Sequence, residues 1–192
     1  MFASPFYTYS GTGGIKIEDM IVSNFSAYNA IFLEEAFLPG NSTWEIGVKF
    51  KYPETLRKHA NVLFGSWYTG FYGCPTLEIG TNSNLTDIFA AVPDGTSSWN
   101  HKGEYTFQDK PSGACWIKFN FDGDKYVVSF SADGQAFEDI IQIDYGVMYQ
   151  DAANSKLQFG GINRSNNHYF EGSIDLKETY IKIGDQTWWG RG

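Results

Sequence analysis

The sequence predicts an all-β fold, a sandwich or barrel of many short strands, on three observations. Apolar residues alternate with other residues at a period of two in several segments. Turn signals rich in Gly, Asp and Asn separate those segments at short intervals. Only residues 53–60 read as a helical turn, through Glu54, Leu56, Arg57 and Lys58 without a Gly, so at most one short helix is expected.

In chain order, strands are expected at residues 20–25 and 30–33. Trp44, Ile46, Val48 and Phe50 then alternate with Glu45, Gly47, Lys49 and Lys51, which puts one face on a core and the other toward water. Further strands are expected at residues 61–67, 76–80 and 87–92. Cys115, Ile117, Phe119 and Phe121 alternate with Trp116, Lys118 and Asn120, and Tyr126, Val128 and Phe130 repeat the pattern. Between these two runs Asp122-Gly123-Asp124 is a hairpin signal, because Gly takes positive φ at little cost and Asp tolerates it. The next turn is Ser131-Ala132-Asp133-Gly134-Gln135, followed by strands at 139–144, 157–160, 170–174 and 179–183. There is no fixed-period repeat and no Pro/Ser-rich linker, so residues 1–192 read as one domain.

Composition removes several classes. Hydrophobic residues make up 42% of the 192-residue chain, too many for a disordered protein. The longest apolar runs, such as Ile88-Phe89-Ala90-Ala91-Val92, fall far short of the roughly 20 residues of a spanning helix. Met1-Phe2-Ala3-Ser4-Pro5 shows neither the basic nor the apolar region of a secretion signal. A formal net charge of −8 repels phosphate backbones and argues against nucleic acid. Two cysteines cannot make a zinc site by themselves. Cys74 and Cys115 read as unpaired thiols, one of them buried, or as a single disulfide in an oxidising compartment.

Three segments together resemble the concanavalin A-like lectin/glucanase superfamily, which includes laminin-G-like domains. They are residues 41–50 around Trp44-Glu45-Ile46-Gly47-Val48, then Trp116-Ile117-Lys118-Phe119 through Tyr126 and Asp133-Gly134, and last Phe170-Glu171-Gly172-Ser173-Ile174-Asp175-Leu176 with Tyr180-Ile181-Lys182-Ile183 and Trp188-Trp189. Their order and spacing are similar to the version found in phage tail fibres, over roughly residues 15–189. The resemblance implies a jelly-roll β-sandwich of two antiparallel sheets. In it, Gly172 marks a close backbone approach or bulge, Asp175 satisfies backbone donors at a turn, and Ile174, Leu176, Tyr180 and Ile181 pack the closing strands. Trp188-Trp189 reads as an edge-closing pair.

Glucanases of this superfamily need two carboxylates on one strand face. Glu18-Asp19, Glu34-Glu35 and Glu138-Asp139 are adjacent and point to opposite faces, and Asp175 and Glu178, three apart, have the wrong parity. No Gly-x-Ser-x-Gly occurs, and His59, His101 and His168 lie in polar stretches as expected loop residues. Gly11-Thr12-Gly13-Gly14 lacks the Lys and the helix of a phosphate loop. No catalytic residue is assigned.

Aromatic residues are 18% of the chain, and sugars bind to exposed rings flanked by hydrogen-bonding groups. Trp44, Phe50, Phe119, Phe121 and Phe130 fall on the apolar parity and belong to the core. Three groups do not. They are Trp67, Tyr68 and Tyr72 in a Gly-bounded loop, Trp99 and His101 among polar residues, and Asn163, Arg164, Asn167, His168 and Tyr169 in a polar loop. Each group either forms a glycan site or seals a sandwich end or a subunit contact. Trp116, opposite in parity to Cys115 and Ile117, either lines a ligand-binding sheet face or packs beneath a loop.

No cofactor is assigned. Calcium stays open, with Asp87, Asp94 and Asp151 as candidates at no diagnostic spacing. Four glycosylation sequons, at Asn24, Asn41, Asn84 and Asn163, matter only in a eukaryotic secretory route. The expectation is a non-catalytic lectin-like module for a bacterial surface glycan, virion-borne or extracellular, either as a homo-oligomer or among other tail subunits, without membrane insertion. The alternatives are an assembly module with aromatic loops at a subunit interface, and a glycoside hydrolase with an unrecognised carboxylate pair.

Overall fold

Alternation builds the first sheet outward from its middle. In β4 (Trp44–Lys51) the even-numbered residues Trp44, Ile46, Val48 and Phe50 are buried, and so are Cys115, Ile117, Phe119 and Phe121 of β9 (Ala114–Phe121). The two strands pair antiparallel, Trp44 opposite Phe121 and Phe50 opposite Cys115, so both apolar rows fall on one face. Asp122 holds the turn to β10 (Tyr126–Ser131) by accepting the amides of Asp124 and Lys125, each at 2.9 Å. That bonding also draws the Asp122 carboxyl below its ordinary pKa.

The computed structural model describes residues 7–9, 21–23, 25, 30–55, 61–68, 71–81, 84–162 and 168–190, with backbone alone at 7–9, 67, 68, 71 and 81. The remaining elements are β1 (Tyr7–Tyr9), β2 (Ile21–Val22), β3 (Ile31–Leu33), β5 (Val62–Tyr68), β6 (Phe71–Thr81), β7 (Asn84–Val92), β8 (His101–Thr106), β11 (Glu138–Ile143), β12 (Gln158–Phe159), β13 (Ser173–Ile183) and β14 (Gln186–Gly190). Sheet A runs β1-β3-β12-β5-β6-β7-β8, sheet B runs β11-β10-β9-β4-β13-β14, and β2 also pairs with β13. All neighbours are antiparallel. No helix occurs among the described residues, and the expected turn at residues 53–60 lies largely outside them. The architecture is a jelly-roll β-sandwich.

The inner faces meet in one aromatic-rich core. Phe64 of sheet A lies 6.4 Å from Phe119 of sheet B, and Phe159 stacks on Trp189 at 5.0 Å. Trp188 packs on Phe37 at 5.7 Å, so the tandem tryptophans close the β14 edge as expected. Gly172 fits because any Cβ there would run into the Lys51 carbonyl and the Phe170 ring. Both cysteines are unpaired and buried, and burial pushes their thiols up, Cys74 to about 12 and Cys115 to about 11.

Several elements differ from expectation. β1, β8 and β14 lie outside the expected strands, and Trp67, Tyr68 and Tyr72, expected in a Gly-bounded loop, lie on paired strands, with Trp67 of β5 opposite Tyr72 of β6 and Tyr68 opposite Phe71. His101 starts β8 instead of lying in a loop. Its strand was hidden because an inward position is Gly103, left small where β8 meets Ile141 of β11. The two strands expected at 170–174 and 179–183 are one strand, β13, interrupted by an irregularity. Asp175 pairs with Lys49 and Tyr180 with Gly47, so four residues, 176–179, face Val48 alone.

Candidate functional site

The outer face of sheet B carries the groups most suited to a ligand. Register places them in rows. Ser131, Trp116, Lys49 and Asp175 form one row across β10, β9, β4 and β13, and Ser129, Lys118, Gly47 and Tyr180 form the next. The β13 bulge lifts Lys177 and Glu178 over this face while Leu176 drops into the core. The bulge is pinned by Asp175, whose side chain accepts the Lys177 amide at 3.1 Å and whose carbonyl accepts the Thr179 hydroxyl at 2.8 Å. Asp175 thus does satisfy backbone donors at a turn.

A groove of about 310 Å³ results, at the small end of the range for ligand pockets. Its rings are Trp116, Phe137 and Tyr180. Tyr180 does not pack the closing strands inwardly. Its neighbour Ile181 does, and the Tyr180 ring lies across Gly47, where any side chain would collide with it. The 131–137 turn forms another wall. Asp133 fixes it by accepting the amides of Gln135 at 2.8 Å and Ala136 at 3.1 Å and the Ser131 hydroxyl at 2.9 Å, which places Gly134 against the Trp116 indole. Trp116 lines a sheet face and tucks one edge beneath a turn.

The polar groups are cross-linked. Lys49 donates to Glu178 at 2.5 Å, pairs with Asp175 at 3.2 Å, and stands 5.1 Å from the Trp116 ring centre. Trp116 Nε1 donates to Glu178 at 3.2 Å. The Lys49 hydrogen bond holds the Glu178 carboxyl below its ordinary pKa, and Glu178 in return raises that of Lys49. Tyr180 donates its hydroxyl to Glu45 at 2.5 Å, and burial foremost, with that bond, pushes the phenol well up. The parity argument against Asp175 and Glu178 fails, because the bulge brings both carboxylates to one ammonium. The arrangement presents oriented rings and fixed charges.

Several of the other expected residues come together on the outer face of sheet A. Tyr72, Val62 and Ile162 form a second small core, covered by Trp99. Trp99 stacks on Tyr72 with centroids 3.2 Å apart and meets Phe89 edge-on at 5.5 Å. Tyr72 is 1% exposed and Tyr169 3%, which corrects their assignment as stacking platforms, since neither ring reaches solvent. Tyr169 belongs to the main core, in the space left by Gly161. His101 is half-buried and stacked on Tyr145 at 3.5 Å. His168 is also half-buried, and its carbonyl accepts the Ile162 amide at 3.2 Å. The side chains of Trp67 and Tyr68, and residues Asn163, Arg164 and Asn167 altogether, lie outside the described residues.

Sequence reasoning passed over Phe137, Lys118, Lys177 and Glu45, set Glu178 aside on parity, and assigned Tyr180 to strand packing. A signal for Tyr180 was present, because Ile181 beside it takes the core face and Gly47 interrupts an otherwise filled strand. Of the calcium candidates, Asp87 accepts Asn84 and Thr106, Asp94 accepts Thr96 and Asn100, and Asp151 accepts Ala153 and Tyr149. Among the described residues no group of three or more His, Cys, Asp or Glu is placed to hold a metal.

A scan of protein-family models and a search of curated proteins found no match. Solved structures do match, and some of them are domains with a bound oligosaccharide. The CBM40 domain of the Ruminococcus gnavus IT-sialidase, bound to α2,3-sialyllactose, superposes with a TM-score of 0.58 at 12% identity, covering 96% of this chain and 94% of that one. Domain 4 of AbnA, an extracellular arabinanase of Geobacillus stearothermophilus in complex with arabinotriose, gives 0.57 at 19% identity, over 83% and 69%. The enzymatically active domain of tailspike protein 2 from bacteriophage CBA120 gives 0.57 at 13% identity, over 97% of this chain and 29% of that one. At these identities the likeness establishes the fold.

Proposed function

We propose that this protein is a non-catalytic carbohydrate-binding module of the concanavalin A-like kind. It serves a phage tail fibre or other receptor-binding protein, on a virion or in the extracellular space, and its ligand is a bacterial surface glycan. The groove on sheet B is its site. The observation that carries this reading is a cavity of ligand size in which Trp116, Phe137 and Tyr180 stand among charged groups already held in place by one another. The carbohydrate-binding neighbours support it, and the tailspike neighbour supports the setting. Single sites are weak, in the millimolar-to-micromolar range, and several copies in one fibre supply avidity, of order 10²-fold or more.

Calorimetric titration with fragments of bacterial surface polysaccharide tests this. Trp116→Ala and Tyr180→Ala should each remove about 1–2 kcal/mol of affinity, roughly a 5- to 30-fold loss. Circular dichroism controls for folding. Unchanged affinity in both variants removes the groove as the site.

A further inference from the structure

We infer that the groove selects saccharides carrying an anionic group, a carboxylate or a phosphate. This rests on the carbohydrate-binding reading and names the ligand class for the same groove. The charged groups of the groove divide into those that already have partners and those that do not.

The three carboxylates have them. Glu45 accepts the Tyr180 hydroxyl at 2.5 Å, Asp175 accepts the Lys177 amide at 3.1 Å and faces the Lys49 ammonium at 3.2 Å, and Glu178 accepts Lys49 at 2.5 Å and Trp116 at 3.2 Å. Lys49 is satisfied by the same bonds. The other lysines are placed differently. Lys118 Nζ approaches Glu45 only to 3.9 Å, beyond hydrogen-bonding reach, and otherwise lies 4.3 Å from the Phe137 ring centre. Lys177 is exposed, and although its charge helps to lower the Glu178 carboxyl, among the described residues its ammonium makes no ion pair within 4.0 Å. Lys118 on β9 and Lys177 on β13 stand on the two strands that flank β4, so they face the groove from its two sides.

An ammonium offers three donors and no acceptor. An incoming anion takes charge-assisted hydrogen bonds from such an ammonium, about twice as strong as those a neutral hydroxyl takes. The carboxylates gain less from sugar hydroxyls, since internal donors already occupy part of their capacity. The formal charge of −8 opposes an anion at long range. At physiological ionic strength that field is screened beyond about 8 Å, whereas the two lysines act in contact.

The test uses matched probes on the whole chain: uronate-containing oligosaccharides, the same oligosaccharides after carboxyl reduction to neutral sugars, and glucose oligomers linked through glycerol phosphate. Binding is expected for an anionic set, with carboxyl reduction weakening uronate binding at least about 10-fold. Response to uronates alone identifies a carboxylate, and response to the phosphate-linked oligomers alone identifies a phosphate. Lys118→Ala and Lys177→Ala should each lower affinity for the bound anion about 5-fold or more, and Lys177→Arg should retain it. If neutral sugars bind as tightly as their uronate parents and Trp116→Ala still weakens binding about 5-fold or more, the carbohydrate reading stands and this inference falls. If no member of any set binds, both fall.

Discussion

Gly47 is the position at which the groove is most sharply defined, and its replacement by Ala has a calculable consequence. The backbone there has no left-handed φ, so Ala is conformationally acceptable. The obstacle is Tyr180. A Cβ on residue 47 would sit 2.5 Å from Cε1 and 2.7 Å from the hydroxyl oxygen, distances that packed atoms do not adopt. The ring must leave, and its bond to Glu45 is lost with it. Overpacking costs about 1–3 kcal/mol, and a hydrogen bond to a charged acceptor contributes about 1.5–3 kcal/mol. Glu45 is 28% exposed and Tyr180 can swing toward water, so the lower ends apply, about 2.5–3 kcal/mol together. Replacing a strand Gly by Ala returns about 0.5–1 kcal/mol. The net loss is about 2 kcal/mol, or about 4–8 °C in Tm for a chain of this size.

The sign should invert when Tyr180 is absent. In a Tyr180→Ala background the three atoms nearest a residue-47 Cβ are gone, and Gly47→Ala should stabilise by about 0.5–1 kcal/mol. The four proteins form a double-mutant cycle with a coupling near 3 kcal/mol, read from urea midpoints by tryptophan fluorescence at constant m-value. If Gly47→Ala has the same effect in both backgrounds, within about 0.5 kcal/mol, Tyr180 does not lie over Gly47 and the groove is built differently.

Two further outcomes separate the groove from the second aromatic cluster. The Glu178 carboxyl titrates below its ordinary value, so its contribution is complete above about pH 4.3 and is lost as pH falls through the lower folded value. Its side chain is 48% exposed, which limits that contribution to about 1 kcal/mol. The stability gap between the wild type and Glu178→Gln should therefore be small at pH 7 and close toward pH 3, and a gap that widens on acidification would contradict the Lys49 pairing. Trp99→Ala should cost about 1–3 kcal/mol by uncovering Tyr72 and Phe89, yet leave glycan affinity unchanged because it lies on the other sheet. Lost affinity with intact stability would move the site to sheet A.

The division between what the sequence revealed and what it hid follows from regularity. Trp44, Ile46, Val48 and Phe50, and their partners from Cys115 to Phe130, obey one period of two, so strand, core face and register could all be read from spacing. The groove depends on departures from that period. Lys177 and Glu178 reach it only because residues 176–179 oppose a single residue of β4, and no count along the chain reveals how many residues a bulge absorbs. The tyrosines failed for a different reason. A Gly-bounded aromatic segment suggested that Tyr72 faces water and a polar loop suggested the same of Tyr169, but Trp99 covers the first and Gly161 leaves the space that buries the second. Trp116 was legible because it is large, out of phase with its strand, and bound to a sheet whose register was already fixed. A binding face on such a sandwich is better sought where a bulky residue breaks parity opposite a Gly, as Tyr180 does across Gly47, than where aromatics merely cluster in a loop.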